Sequence, residues 1–165
     1  MKKTIRFTVT AAMIAAIYAV LTLAVSPIGY GSIQFRISEA MILFAAVTPA
    51  AIPGLTIGCV IANLGSPFGI IDIALGSFAS LLAALFAYYT RNIRFKNIPL
   101  LSPLGAVVFN GFIVSLAIML TSETGFLYWL SVAQISLCEL VPCYVLGIPL
   151  WIVLEKFGLN RRLSR

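Results

Sequence analysis

The sequence predicts an all-α integral membrane protein with six transmembrane helices and both termini on the cytoplasmic side. Three observations carry that expectation. First, 61% of the 165 residues are hydrophobic and only 10% are charged, with a mean hydropathy of +1.08. Soluble domains carry about 25% charged residues, and a soluble chain this short has too little interior to hide so much apolar surface. Second, long apolar runs cover residues 7–25, 40–63, 71–89, 100–120 and 126–154. Third, the cations gather in three clusters: Lys2, Lys3 and Arg6; Arg91, Arg94 and Lys96; and Lys156, Arg161, Arg162 and Arg165. Such clusters mark cytoplasmic flanks of membrane spans.

The first span is expected over 7–25. The opening "MKKTIRFTVTAAMIAAIYAVLTLAVSP" has the basic head of a signal peptide, but apolar segments continue to Trp151, so residues 1–27 read as a retained span. The run over 40–63 admits two readings, because Pro49, Pro53 and Gly54 in "TPAAIPG" interrupt a helical hydrogen-bond ladder. As one helix it gives five spans and strands "RNIRFK" and "NRRLSR" outside; as two short helices it gives six and puts all three basic clusters inside. The expected spans are therefore 7–25, 38–49, 52–64, 71–90, 101–121 and 127–156. The second and third fall short of the roughly 20 residues a bilayer requires, so they must tilt or be shielded by neighbours. The last is long, and Pro142 and Pro149 predict a bend in it. Composition marks no boundary, and residues 1–165 read as a single transmembrane domain.

Polar groups inside lipid are costly and mark function by default. The exceptional positions are Arg36, Glu39, Asn63, Asp72, Asn110, Gln134 and Glu139. On the expected spans, Arg36, Glu39, Asn63 and Asp72 lie at or near the outer surface. Asn110 and Glu139 lie roughly 16–18 Å from the outer ends of their helices at 1.5 Å per residue, and Gln134 lies between. The inner halves carry almost no polar groups. The pattern describes a polar cup open to the outside with an apolar floor, whereas a channel or proton pump requires polar groups at every depth.

Each position also has a structural reading. Arg36 and Glu39 can form an interfacial ion pair, with Ser38 capping the second helix. Asp72 suits a helix N-terminus, and Asn110 and Gln134 suit interhelical hydrogen bonding. Glu139 resists such a reading, because a carboxylate near mid-bilayer without a cation at similar depth must be protonated or paired with a ligand. Pro142 leaves the carbonyl of Cys138 without its helical donor close by. The aromatics Tyr30, Phe35, Phe68, Phe126, Tyr128 and Trp129 suit an interfacial belt; Tyr30, Phe68 and Trp129 would also serve to close over a flat heterocycle. In the first helix, Ala11, Ala15 and Ala19 form one small-residue stripe and Ala12 and Ala16 an adjacent one, suited to close approach by another helix, from a partner or from this chain itself.

Other chemistries find little support. The chain contains no histidine, the commonest metal ligand and proton shuttle. Cys59, Cys138 and Cys143 all fall in apolar stretches, as free thiols behaving like small hydrophobes do. No nucleophile–base pair or paired acidic motif is present, so no enzyme activity is expected. No cofactor, metal or nucleic-acid partner is expected.

The small-xxx-small first helix, the basic-flanked six-span pattern and the block "QFRISEAMILFAAVTPAAIPGLTIGCVIANLGSPFGIIDIALGSFASLLAAL" resemble the substrate-binding S components of energy-coupling factor (ECF) transporters. Within them, the chain resembles the queuosine-precursor group, QueT. The resemblance is strongest from residue 34 to 85, in "QFRISEA", "AIPGLTIGCVIANL" and "DIALGSFASLLAA"; the two C-terminal helices match in length and in Asn110 and Glu139. It implies an S subunit in the cell membrane that captures a micronutrient outside. Such a subunit associates with a scaffold subunit, EcfT, and two ATPase subunits, EcfA and EcfA', through alanine-rich faces of its first helices. ATP hydrolysis then belongs to those partners, in keeping with the absence of a GxxxxGK[ST] loop here. The implied substrate is a 7-deazaguanine such as preQ1, preQ0 or queuine, and the nearest competing expectation is an S component for thiamine, riboflavin or folate. The resemblance assigns Glu139 or Asp72 to the guanine-like edge, Asn110 and Asn63 to further hydrogen bonds, and Arg36 and Glu39 to a closing lid.

Overall fold

In the computed structural model, residues 2–25, 35–121 and 127–158 are described. Tyr30, Phe126, Arg161, Arg162 and Arg165 lie outside the described residues. The described chain is helical, with a lone bridge between Phe95 and Ile98. Its elements are α1 (Lys2–Ala24), a 3-10 helix (Ile37–Ala46), α2 (Ala51–Asn63), α3 (Gly69–Thr90), α4 (Leu104–Thr121), α5 (Tyr128–Leu140), a π-helical segment (Val141–Leu146) and α6 (Gly147–Lys156). Among the described residues, four stretches are long and apolar enough to cross a membrane: Lys3–Ala24, Gly69–Thr90, Leu104–Thr121 and the continuous run Tyr128–Lys156. Two shorter apolar helices, Ile37–Ala46 and Ala51–Asn63, fill the disputed stretch, so the prolines divide it as expected.

In α1 the buried residues recur at helical spacing: Ala11, Ile14, Ala15, Tyr18, Ala19 and Thr22. They meet α2 at Gly54 and Gly58, where a Cβ would stand 2.8 Å from the Ala11 carbonyl oxygen and 2.9 Å from that of Ala15. Glycine is required there because the two backbones approach too closely for any side chain. The opposite face of α1 exposes Val9, Met13, Ile17 and Val20, all at about half or more of their full area. An outward face as apolar as the inward one is suited to lipid rather than water.

The second span was expected to be α-helical; it is a 3-10 helix surrounded by α1, α2, α3, α6 and the π segment. Eight of its ten residues are buried. This is the shielding that a short segment needs, and the roughly 2 Å rise per residue of a 3-10 helix lets ten residues reach about 20 Å in depth. At the other end of the chain, the bend expected from two prolines takes the form of π winding at Pro142 alone. Its missing N–H breaks the α ladder there, whereas Pro149 sits in the first turn of α6, where that donor is not needed.

The pairing of Ala11 with Gly54 and Ala15 with Gly58 makes α1 and α2 parallel. A short turn reverses the chain between α2 and α3. The start of α1, with Lys3 and Arg6, therefore shares one end of the bundle with the α3–α4 link. That link turns at Lys96 and Asn97, both in the left-handed region (φ 48° and 66°), and α6 docks on it. Trp151 Nε1 donates to the Asn97 carbonyl at 3.1 Å, and the Arg94 guanidinium lies 5.5 Å from the Trp151 ring centroid. Apart from Arg36, the described basic residues thus lie at the end of the bundle opposite the α2–α3 turn. Between the two ends runs an apolar core that includes Leu43, Ala45, Ala83, Ala84, Ala87, Ala106 and Trp151.

Candidate functional site

Toward the α2–α3 turn, the interior changes character. Tyr18, Arg36, Glu39, Asn63, Asp72, Asn110 and Glu139, contributed by α1, the 3-10 helix and α2 to α5, are all at most 3% exposed. In a span, such residues turn inward because lipid offers them no hydrogen bonds.

They form two groups. In the first, the Tyr18 hydroxyl donates to Glu39 Oε1 at 2.5 Å. Asn110 Nδ2 donates to Glu139 Oε1 at 3.1 Å, and Glu39 lies near this pair. Each of the two carboxyl groups thus has a partner from an element far away in sequence, Tyr18 for Glu39 and Asn110 for Glu139. The Cys143 thiol lies against both, 3.8 Å from the Glu39 carbonyl oxygen and 3.9 Å from Glu139 Oε2. In the second group, Arg36 Nη2 stands 3.8 Å from Asp72 Oδ2, which also accepts from Ser66 Oγ at 2.5 Å. Asn63 Nδ2 donates to the Asp72 carbonyl at 3.2 Å and approaches Cys59 Sγ at 3.5 Å. Gly76 permits this arrangement, since a Cβ there would stand 2.7 Å from Asn63 Nδ2. Cys59 belongs to this second group as well, with Arg36 Nη1 3.9 Å from its sulfur.

Six of the expected site residues have direct partners in this set: Arg36, Glu39, Asn63, Asp72, Asn110 and Glu139. Arg36 and Glu39, however, are not at the surface. Glu39 is buried in the first turn of the 3-10 helix, where it accepts from Tyr18, and Arg36 faces Asp72 and Cys59. Ser38 does not cap its helix; its hydroxyl shares a 2.7 Å hydrogen bond with Thr22 of α1. Gln134 is half-buried on α5 and, among the described residues, has no hydrogen bond to the set. Trp129 is 73% exposed and packs edge-on against Phe112 and Tyr128, the placement of a belt aromatic rather than a lid over the cup. Phe68 lies in the α2–α3 turn, half-buried against Val114, Ile118 and Ile135. Tyr30 falls outside the described residues. Of the alanines, Ala11, Ala15 and Ala19 are buried against α2, so intramolecular packing accounts for that stripe, while Ala12 and Ala16 are exposed.

Tyr18, Cys59, Cys143 and Ser66 were not anticipated. Tyr18 was the most legible of them: it falls in the 11–15–18–22 register of the packed face of α1, where a phenol needs a buried partner. Ser66 and the cysteines gave no such signal.

Chemically, the set offers many acceptors, a few donors and one guanidinium in a water-poor setting, which suits tight recognition of a small polar molecule. Among the described residues no group of three or more His, Cys, Asp or Glu is arranged to hold a metal ion.

The comparisons with known proteins agree with this picture of a membrane-embedded binder. A 76-residue stretch is 41% identical to the queuosine precursor transporter QueT of Lactococcus lactis subsp. cremoris (strain MG1363), covering 45% of this chain and 44% of that protein. The match thus spans less than half the length of that relative. No solved structure matches this chain. The model of the family described as QueT transporter matches residues 8–156, nearly the whole sequence. The chain therefore belongs to the QueT transporter family, a family of transporters rather than enzymes.

Proposed function

We propose that this chain is the substrate-binding subunit of an ECF-type importer in the cell membrane and captures a queuosine precursor, a 7-deazaguanine base, from outside. The observation that carries this reading is the buried set Tyr18–Glu39–Asn110–Glu139 with Arg36–Asp72–Asn63, lying away from the basic end of the bundle, where the other described cations gather. Cationic flanks stay cytoplasmic, so that end faces outward, and the chain crosses the membrane six times with both termini inside. A 7-deazaguanine presents two adjacent N–H donors that a carboxylate accepts and a carbonyl that an amide or guanidinium donor meets. Glu139 or Asp72 reads the donor edge, with Asn110 and Asn63 adding hydrogen bonds; Arg36 and Glu39 act inside the cup. The apolar core beneath the site blocks passage, and delivery depends on EcfT and the ATPases EcfA and EcfA'. Ala12 and Ala16, on the exposed side of α1, are the small residues left for that contact.

The test is mass spectrometry of the protein purified alone from cells supplied with queuosine precursors. A co-purified 7-deazaguanine supports the reading. Thiamine, riboflavin or folate in its place would move the chain to a neighbouring substrate class.

A further inference from the structure

The buried set holds more acidic than basic groups. Three of the chain's five acidic residues, Glu39, Asp72 and Glu139, are in it, and among the described residues Arg36 is its only Lys or Arg. No other Lys or Arg occurs between residues 7 and 90, and none between 97 and 155. One guanidinium serves three carboxyl groups, so whichever it neutralises, two remain without a cation. Like charges this deeply buried raise each other's energy sharply, because little water screens them. A second observation points the same way. Asn63 Oδ1 and Asp72 Oδ1 are fully buried and, among the described residues, accept no hydrogen bond. Buried polar atoms are ordinarily satisfied, and an orphaned pair of acceptors calls for donors from outside the protein.

We propose that the site selects a cationic 7-deazaguanine, one carrying a protonated amine on its five-membered ring, over a neutral congener. The ammonium, with its several N–H donors and no acceptor, lies at Glu39 and Glu139, whose carboxyl groups Tyr18 and Asn110 hold in place. The N1–H and exocyclic amine of the base meet Asp72 Oδ1 and Asn63 Oδ1. This assignment rests on the queuosine-precursor reading above and decides between its two carboxylates: Asp72 reads the ring, and Glu139 reads the side arm. A nitrile at the same ring position provides neither charge nor donors and leaves the acidic surplus in place.

The experiment is calorimetric titration of the purified chain in lipid nanodiscs with 7-aminomethyl-7-deazaguanine and with 7-cyano-7-deazaguanine. The amine is expected to bind tighter by on the order of 10- to 100-fold, the scale of one charge-assisted hydrogen bond. Glu139→Gln and Glu39→Gln are expected to weaken the amine by about tenfold or more while changing the nitrile by less than about threefold. Equal affinities, or preference for the nitrile, overturn the inference and leave the queuosine-precursor reading standing. Failure of a folded, cooperatively unfolding protein to bind either base overturns that reading, and the inference with it. The comparison of the two ligands on the unaltered protein decides the matter even if a Gln variant fails to fold.

Discussion

Replacing Gly58 by alanine tests the close approach that positions Tyr18. The added Cβ would meet the Ala15 carbonyl oxygen at 2.9 Å and Tyr18 Cβ at 2.9 Å, where ordinary contact begins near 3.4 Å. Helix α1 must therefore retreat by about 0.5 Å, and a carbonyl on a helix axis cannot swing aside as a flexible side chain can. Overpacking of this kind costs about 1–3 kcal/mol, against which alanine regains roughly 0.5–1 kcal/mol of intrinsic helix preference. The net expectation is a loss of about 1 kcal/mol, or a fall of about 2–4 °C in melting temperature for a chain of this size. Ligand affinity should survive, since a retreat of about 0.5 Å lengthens the 2.5 Å Tyr18–Glu39 hydrogen bond only to about 3.0 Å, still a sound distance. Gly58→Leu, by contrast, should separate the helices and lose both stability and binding. The assay is thermal unfolding in detergent followed by ligand titration. Gly65→Ala serves as the control, because the nearest atom to a Cβ there is 4.0 Å away. A Gly58→Ala protein as stable as the Gly65→Ala control would refute the reasoning.

Three further outcomes follow from the placements. Trp129→Ala should leave affinity within about twofold, measured by the same titration, because its ring is exposed beside Phe112 and not over the polar set. Asp72→Asn takes the carboxylate from a buried guanidinium 3.8 Å away and should cost about 3 kcal/mol in denaturant unfolding; an unchanged midpoint would show that the contact contributes nothing. Ala12→Leu with Ala16→Leu should leave binding by the isolated chain intact yet lower cellular uptake of precursor, whereas Ala15→Leu, facing Gly58, should destabilise the chain itself.

The membrane class and the helical content were legible because lipid imposes them on composition: 61% hydrophobic residues leave a short chain little alternative. The split at "TPAAIPG" was legible because proline chemistry is local. The polar set was legible residue by residue for the same reason that it is informative, namely that each member is expensive in lipid. Depth was not. Arg36 and Glu39 looked superficial because they stand at the start of the second span; the place of that span at the centre of the bundle buries both. That placement depends on packing from five other elements, and no local pattern encodes it. The two alanine stripes of α1 were indistinguishable in sequence because their spacing is the same. What separates them is the pair Gly54 and Gly58, which receives one stripe and leaves the other exposed. Trp129 shows the opposite limit: an aromatic at a helix start has the same signature whether it faces lipid or ligand.

The central claim is that the buried polar residues exist to hold a solute and not merely to tie helices together. Replacing both Asn110 and Glu139 by leucine tests it most directly, because exchanging a whole buried polar pair for apolar residues of similar volume is often neutral or stabilising for the fold. The prediction is a protein that unfolds at or above the original temperature and shows no measurable binding of a 7-deazaguanine. Undiminished binding by the folded double variant would contradict it.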